Sequence, residues 1–234
     1  MVCRFLVVMA WGRVGSNLLM NLIGQAKIRK KLNSEKFNQL KTAEEQVAWF
    51  RDFYDLDRAP EVRLIGSKQN VLSMRDIGAV VDLVRTERVK LIRMRRDNLL
   101  KAAVSQIRAE EYAKKSLQET GTARWAVRRG EPVLGPSHID PELLVRRMGV
   151  FQQQHQRMID SFSGFGEIDV EYEQLISGLP FVYTQVADCL GLSPELPEVP
   201  FVKATPDDLR AAITNYYEVA TALADTPYGK FLQA

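Results

Sequence analysis

A chain of 234 residues that is 46% hydrophobic and 26% charged can bury a substantial core, and its make-up is that of an ordinary globular protein rather than a disordered or fibrous one. A formal net charge of +3 suits a small anionic ligand and gives no reason to expect nucleic acid. The two cysteines, Cys3 and Cys189, have neither metal spacing nor a disulfide framework, which points to a reducing, cytoplasmic setting.

The first element is Phe5-Leu6-Val7-Val8-Met9-Ala10, a continuous apolar run too short to span a membrane. Arg4 ahead of it gives a passing likeness to a signal peptide, but Gly12-Arg13-Val14-Gly15 follows where a small-residue cleavage site would stand, so the run reads as a strand buried on both faces. No other stretch approaches the length of a spanning helix. Gly12 and Gly15 allow a tight turn, Ser16 and Asn17 are helix-starting residues, and Leu18, Leu19, Leu22 and Ile23 give the next helix an apolar face. Strand, glycine turn and helix start together gather N–H groups that attract a phosphate, and Arg13 adds a full charge. The stretch is not a Walker A motif, because Gly15 stands where the Lys before the Ser would be. An ordinary strand-turn-helix with glycines for geometry is the plainer reading of this stretch taken alone.

Lys27 to Lys41 is basic and poorly periodic and reads as a solvated loop, with Glu35 as its one acid. Thr42-Ala43-Glu44-Glu45 is a capping box opening a helix with Val47, Trp49, Phe50 and Phe53 as apolar positions. Val62 to Ile65 is a short strand candidate, and Gly66-Ser67-Lys68 the loop after it. Loops after parallel strands collect at one sheet edge, so Lys68 can share a site with Arg13. Ser73 is expected to cap the helix carrying Ile77, Val80, Val81 and Val84. Val89 to Met94 reads as a strand and Asn98 to Glu111 as a helix, with Arg93, Arg95 and Arg96 leading into it. Positive charge before a helix is not what the helix dipole selects, and an anion would explain it. Residues 118–141 change composition: Gly121, Gly130, Pro132, Gly135 and Pro136 break periodicity around Trp125, Arg124, Arg128 and Arg129. Either a surface loop or a lid over a polar acceptor fits, Trp125 offering a face on which a sugar stacks and Arg128 suiting an anionic one. Asp140-Pro141-Glu142 starts a helix to about Ser161, residues 167–172 read as a strand, Pro180 to Leu190 is a helix stopped by Gly191, and Thr205-Pro206-Asp207-Asp208 reads as one more helix start after a connector over 194–200. Strands alternating with helices over one domain, residues 1–234, give an α/β fold with a mainly parallel sheet flanked by helices.

Two of these motifs carry a family resemblance. Arg13-x-Gly15-Ser16-x-Leu18-Leu19 resembles the 5′-phosphosulfate loop of sulfotransferases that use PAPS (3′-phosphoadenosine-5′-phosphosulfate). The run RRDNLLKAAVS, residues 95–105, resembles their 3′-phosphate motif, closest to the bacterial carbohydrate type, the Stf0-like trehalose and Nod-factor sulfotransferases. The Thr-Gly…Trp pattern near Trp125, the V-x-Y-E segment ending at Tyr172-Glu173 and the C-terminal segment are similar as well. The resemblance implies a P-loop-NTPase-like sulfotransferase fold and sulfuryl transfer from PAPS to a hydroxyl of a carbohydrate or glycolipid, with PAP as product and no metal. It implies that Arg13, Gly15, Ser16 and Asn17 hold the 5′ end, that Arg96 (or Arg95) and Ser105 hold the 3′-phosphate, and that Lys203 closes over the nucleotide. By the same resemblance Glu35, with Phe37 two residues on, is the base for the acceptor hydroxyl. The acceptor side would use Lys68, Trp125 and Arg128. Partners are then a small-molecule or glycan acceptor, with no nucleic acid and no transmembrane segment, and an oligomer is compatible with all of this. The alternatives are a P-loop-like nucleotide or sugar kinase, against which the missing P-loop Lys counts, and a non-catalytic PAP- or nucleotide-binding protein. His138 and His155 lie outside any of these motifs.

Overall fold

The apolar run after Arg4 is the central strand of the sheet. In β1 (Cys3–Met9), Phe5 through Met9 are fully buried, as a strand covered on both faces requires. The computed structural model describes residues 2–57, 60–165, 168–199 and 201–233. Four more strands complete the sheet: β2 (Lys30–Ser34), β3 (Leu64–Asn70), β4 (Lys90–Arg95) and β5 (Ile168–Glu171). Their order is β2-β3-β1-β4-β5 and every neighbouring pair is parallel. Helical crossovers make this possible: α1 (Ser16–Gly24) joins β1 to β2, α2 (Ala43–Tyr54) joins β2 to β3, and α3 (Ile77–Thr86) joins β3 to β4. The α/β class with a mainly parallel sheet flanked by helices is thus as expected. The chain leaves β1 toward β3 and β2 but leaves β4 toward β5. The carboxyl ends of the adjacent strands β1 and β4 therefore frame a topological switch point, where open α/β sheets bind ligands.

The chain divides into two compact units. The first, residues 1–97 and 153–198, contains all five strands. The second, residues 98–152 and 199–234, contains α4 (Leu99–Thr120), the expected breaker-rich segment 118–141, and α8 (Tyr216–Ala224). Helix α5 (Pro141–Ser161) runs over the predicted span, and Asp140 accepts from the amides of Glu142 and Leu143 at its start. The short α6 (Tyr172–Ser177) follows β5, and α7 (Leu179–Leu190) ends at Gly191 as expected.

Several expectations need correction. Lys27 to Lys41 is not all loop: β2 lies inside it, an edge strand whose place comes from pairing with β3 rather than from its own periodicity. Lys31 sets its ammonium 4.7 Å from the Phe53 ring centroid and donates to the Phe53 carbonyl, and a lysine on an edge strand discourages further pairing. Strand β3 extends through Gly66-Ser67-Lys68, which reads as a loop in sequence. A Cβ at Gly66 would lie 1.9 Å from the Phe5 ring, so the glycine lets Phe5 cross β3. Ser67 is buried against Tyr54, whose hydroxyl lies 2.9 Å from the Ser67 hydroxyl and donates to the Phe5 carbonyl at 2.6 Å. Ser73 closes a 3-10 turn, and α3 is capped instead by Asp76, which accepts from the amide of Ala79. Helix α4 continues nine residues beyond Glu111 to Thr120, because Ala113 and Ser116 carry its buried face onward. After Thr205-Pro206 only a 3-10 turn forms, Leu209–Ala211, capped by Asp208. The Thr42–Glu45 capping box is present in full. Glu167 and Pro200, which bound the expected β5 strand and the connector, lie outside the described residues.

Candidate active site

The β1–α1 bend is built around two left-handed residues. Arg13 has φ 67° and Gly15 φ 81°. Gly15 is required twice over: its φ disfavours a side chain, and a Cβ there would lie 2.7 Å from Leu175 and 3.3 Å from Tyr172. Gly15 occupies the N-cap position of α1 with no side-chain cap, so Ser16, buried as the first helical residue, does not play the capping part its type suggested. No side chain caps the first-turn amides, and the positive end of the helix dipole points at the bend.

Across the switch point from this bend stands Arg96, 5% exposed, just after β4. Its Nη1 donates to the Arg13 carbonyl at 3.2 Å, and its guanidinium lies 4.1 Å over the Tyr172 ring. Glu173 approaches its Nε at 3.9 Å and accepts from the Asp97 amide at 3.3 Å. Burial pushes the Arg13 pKa below its ordinary value, and the like charge of Arg96 pushes the same way, opposed by Tyr172. Two buried guanidinium groups side by side make this end of the sheet locally electropositive. Arg95, the other candidate for the 3′-phosphate, turns instead to Glu171 and, at 3.5 Å, to Asp97.

On the other side of β1, at the carboxyl ends of β2 and β3, lies a carboxylate–ammonium pair. Glu35 follows β2 directly and is left-handed at φ 56°. Its Oε1 is 2.7 Å from Lys68 Nζ, its Oε2 accepts from Asn38 at 3.0 Å, and its amide donates to the Lys68 carbonyl at 2.7 Å. The same ammonium donates to the side-chain oxygen of Asn17 in the first turn of α1. Of the three non-glycine residues with positive φ among those described, two are Arg13 and Glu35. Strained backbone of this kind collects at functional sites.

The first unit therefore brings together Arg13, Gly15, Ser16, Asn17, Arg96, Glu35 and Lys68 at one edge of the sheet. The remaining predicted residues belong to the second unit. Ser105 is buried on α4, and Lys203 pairs with Asp207. Trp125 is 49% exposed, and Arg128 donates its amide to Glu131 at 2.8 Å and bridges to Phe201. The structure adds residues that the sequence reading passed over. Tyr172 and Glu173 sit under Arg96, and their place just after a strand end was the available signal. His155, within α5, packs edge-on against Trp11 with ring centroids 5.8 Å apart, and no local pattern marks it. Among the described residues, no group of three or more His, Cys, Asp and Glu side chains is arranged to hold a metal ion, and no helix is long and apolar enough to cross a membrane.

No protein-family model and no curated protein matches the chain. Solved structures similar to it at low identity include the following three. A sulfotransferase from Alicyclobacillus acidocaldarius shares 15% identity over 96% of this chain and 95% of its own, at a TM-score of 0.47. The sulfotransferase domain from the curacin biosynthetic pathway shares 13% over 99% and 95%, at 0.45. Mouse sulfotransferase SULT7A1, solved in complex with PAP, shares 12% over 98% and 88%, also at 0.45. At such identities and TM-scores the functional reading has to come from the chain's own residues.

Proposed function

We propose that this chain transfers a sulfuryl group from PAPS to a hydroxyl of a small-molecule or glycan acceptor of the carbohydrate or glycolipid class. The observation that carries this reading is the pairing of Arg13 and Arg96 at the β1–β4 switch point, with the side-chain-uncapped start of α1 between them and a partly exposed carboxylate, Glu35, on the same sheet edge. The residues fit a polyanionic nucleotide: two neighbouring arginines and a helix N-terminus supply charge-assisted donors for its phosphate groups. When bound, PAPS supplies the sulfuryl group and departs as PAP.

Arg13 and the amides around Gly15, Ser16 and Asn17 are preorganised to meet negative charge growing on a leaving phosphate, the kind of electrostatic help that dominates in-line group transfers. Arg96 and Ser105 hold the 3′-phosphate in this reading, and Lys203 closes over the nucleotide. Glu35, its side chain one-third exposed, receives the proton of the acceptor hydroxyl at a carboxylate oxygen. Trp125 and Arg128 take the acceptor.

Calorimetry with PAP, ATP and ATP plus Mg²⁺, together with labelled-sulfate transfer from PAPS into a panel of glycans, tests the reading. PAP binding with transfer is the expected result. Tight ATP–Mg²⁺ binding without PAP binding would make the chain a kinase, and PAP binding without transfer a non-catalytic binder. Glu35→Gln should keep PAP affinity and lower turnover by about 10²- to 10⁴-fold, the usual worth of a general base.

A further inference from the structure

Lys68 has a place in this site that its sequence position does not suggest. It is 2% exposed, while the Glu35 side chain it pairs with is 33% exposed. An acceptor can therefore reach the carboxylate but not the ammonium. A buried ammonium needs partners, and Lys68 has two: Glu35 Oε1 at 2.7 Å and the Asn17 side-chain oxygen at the start of α1. The backbone repeats the link, since Ser34 is registered opposite Lys68 and the Glu35 amide donates to the Lys68 carbonyl. Glu35 is held left-handed where the β2–β3 ladder ends, a conformation that persists only when its surroundings over-determine it.

Resting on the sulfuryl-transfer reading above, we propose that Lys68 is a positioning residue that aims the Glu35 carboxylate and ties it to the first turn of α1, rather than a group that touches the acceptor. One ammonium then fixes the distance between the proton acceptor and the anion-binding bend. Misplacing a reacting group by about 1 Å can cost on the order of 100-fold in rate without loosening substrate binding.

The test is a double-mutant cycle of Lys68→Met and Glu35→Gln, with Lys68→Arg as the conservative variant, read by transfer kinetics, PAP calorimetry and ligand-free thermal unfolding. Lys68→Met should lower kcat by about 10- to 100-fold, leaving acceptor KM and PAP affinity within about threefold of wild type. In the Glu35→Gln background the same change should cost nothing further, because Lys68 acts through a carboxylate no longer there. Lys68→Arg should recover part of the lost kcat, a charge being restored. In unfolding, the double variant should melt higher than Lys68→Met alone, since neutralising Glu35 removes a carboxylate stripped of its partner. A raised acceptor KM that persists in the Glu35→Gln background, or additive effects on melting, would overturn the proposal. Should the wild-type chain transfer nothing from PAPS, the functional reading fails by itself, and the unfolding cycle still decides whether Lys68 fixes Glu35.

Discussion

The two compact units each bury arginine, and they do so in opposite ways. In the second unit Arg108 is 4% exposed and its guanidinium donates to the carbonyls of Leu134 at 2.9 Å, Gly135 at 2.8 Å, Ala212 at 3.0 Å and Ala204 at 3.4 Å, and to the Ser137 hydroxyl at 3.2 Å. Ser137 in turn donates to Glu111 at 2.5 Å. Burial lowers the Arg108 pKa and Glu111 pulls it back up. In the first unit burial also lowers the Arg13 pKa, but the next influence is a second arginine pushing the same way. One cation is held through its two terminal nitrogens by five neutral acceptors drawn from three stretches of chain and works as a staple. The other has a second arginine beside it, with Tyr172 opposing the like charge. Burial alone says nothing about function; the sign of the neighbours does.

The largest effect expected from this contrast is on stability in the second unit. Arg108→Ala should cost about 3 kcal/mol or more, since several hydrogen bonds to a charged donor are lost and their carbonyls left unsatisfied. Thermal unfolding checks it, and a melting temperature within about 1 °C of wild type would dissolve the staple. Next comes ligand affinity in the first unit. Arg13→Met should weaken PAP binding by about 10- to 100-fold, the worth of one charge-assisted contact, and should cost the ligand-free protein less stability than Arg108→Ala, because a like-charge repulsion goes with it. Calorimetry and unfolding on the same sample decide it, and a loss of stability matching that of Arg108→Ala would erase the difference between the two arginines.

The smallest effect sharpens the electrostatics around the same edge. Burial, and then Arg95, hold the His155 pKa below the ordinary 6.5, with Asp97 opposing. The unfolded chain therefore binds a proton at His155 at higher pH than the folded one does. This group leaves stability unchanged above the ordinary imidazole value and lowers it as pH falls through 6.5 toward the depressed folded value. His155→Gln should accordingly lose less melting temperature than wild type between about pH 7.5 and about pH 5.5. Equal losses in the two proteins would place His155 in a neutral, solvent-like setting.

Elements with a strong local period were legible before any coordinates. Strand β1, the capping box of α2, the span of α5 and the Gly191 stop of α7 all stand where pattern and cap chemistry put them. So did the placement of Arg96 between β4 and α4. Strand β2 and the far half of β3 were not legible. Their stability comes from neighbours: β3 for the one, and Phe5 and Tyr54 for Gly66 and Ser67 in the other.

The candidate site divides along the same line. Residue types alone pointed to an anion at the Arg13–Asn17 bend and beside Arg96, because glycines, a helix start and arginines express that chemistry over a few consecutive positions. The partnerships came only with the folded chain: Lys68 with Glu35 and Asn17, Tyr172 and Glu173 beneath Arg96, His155 against Trp11. Each joins residues 33 to 144 positions apart, whose side chains share no local period and meet only when the parallel sheet and the helices around it have assembled.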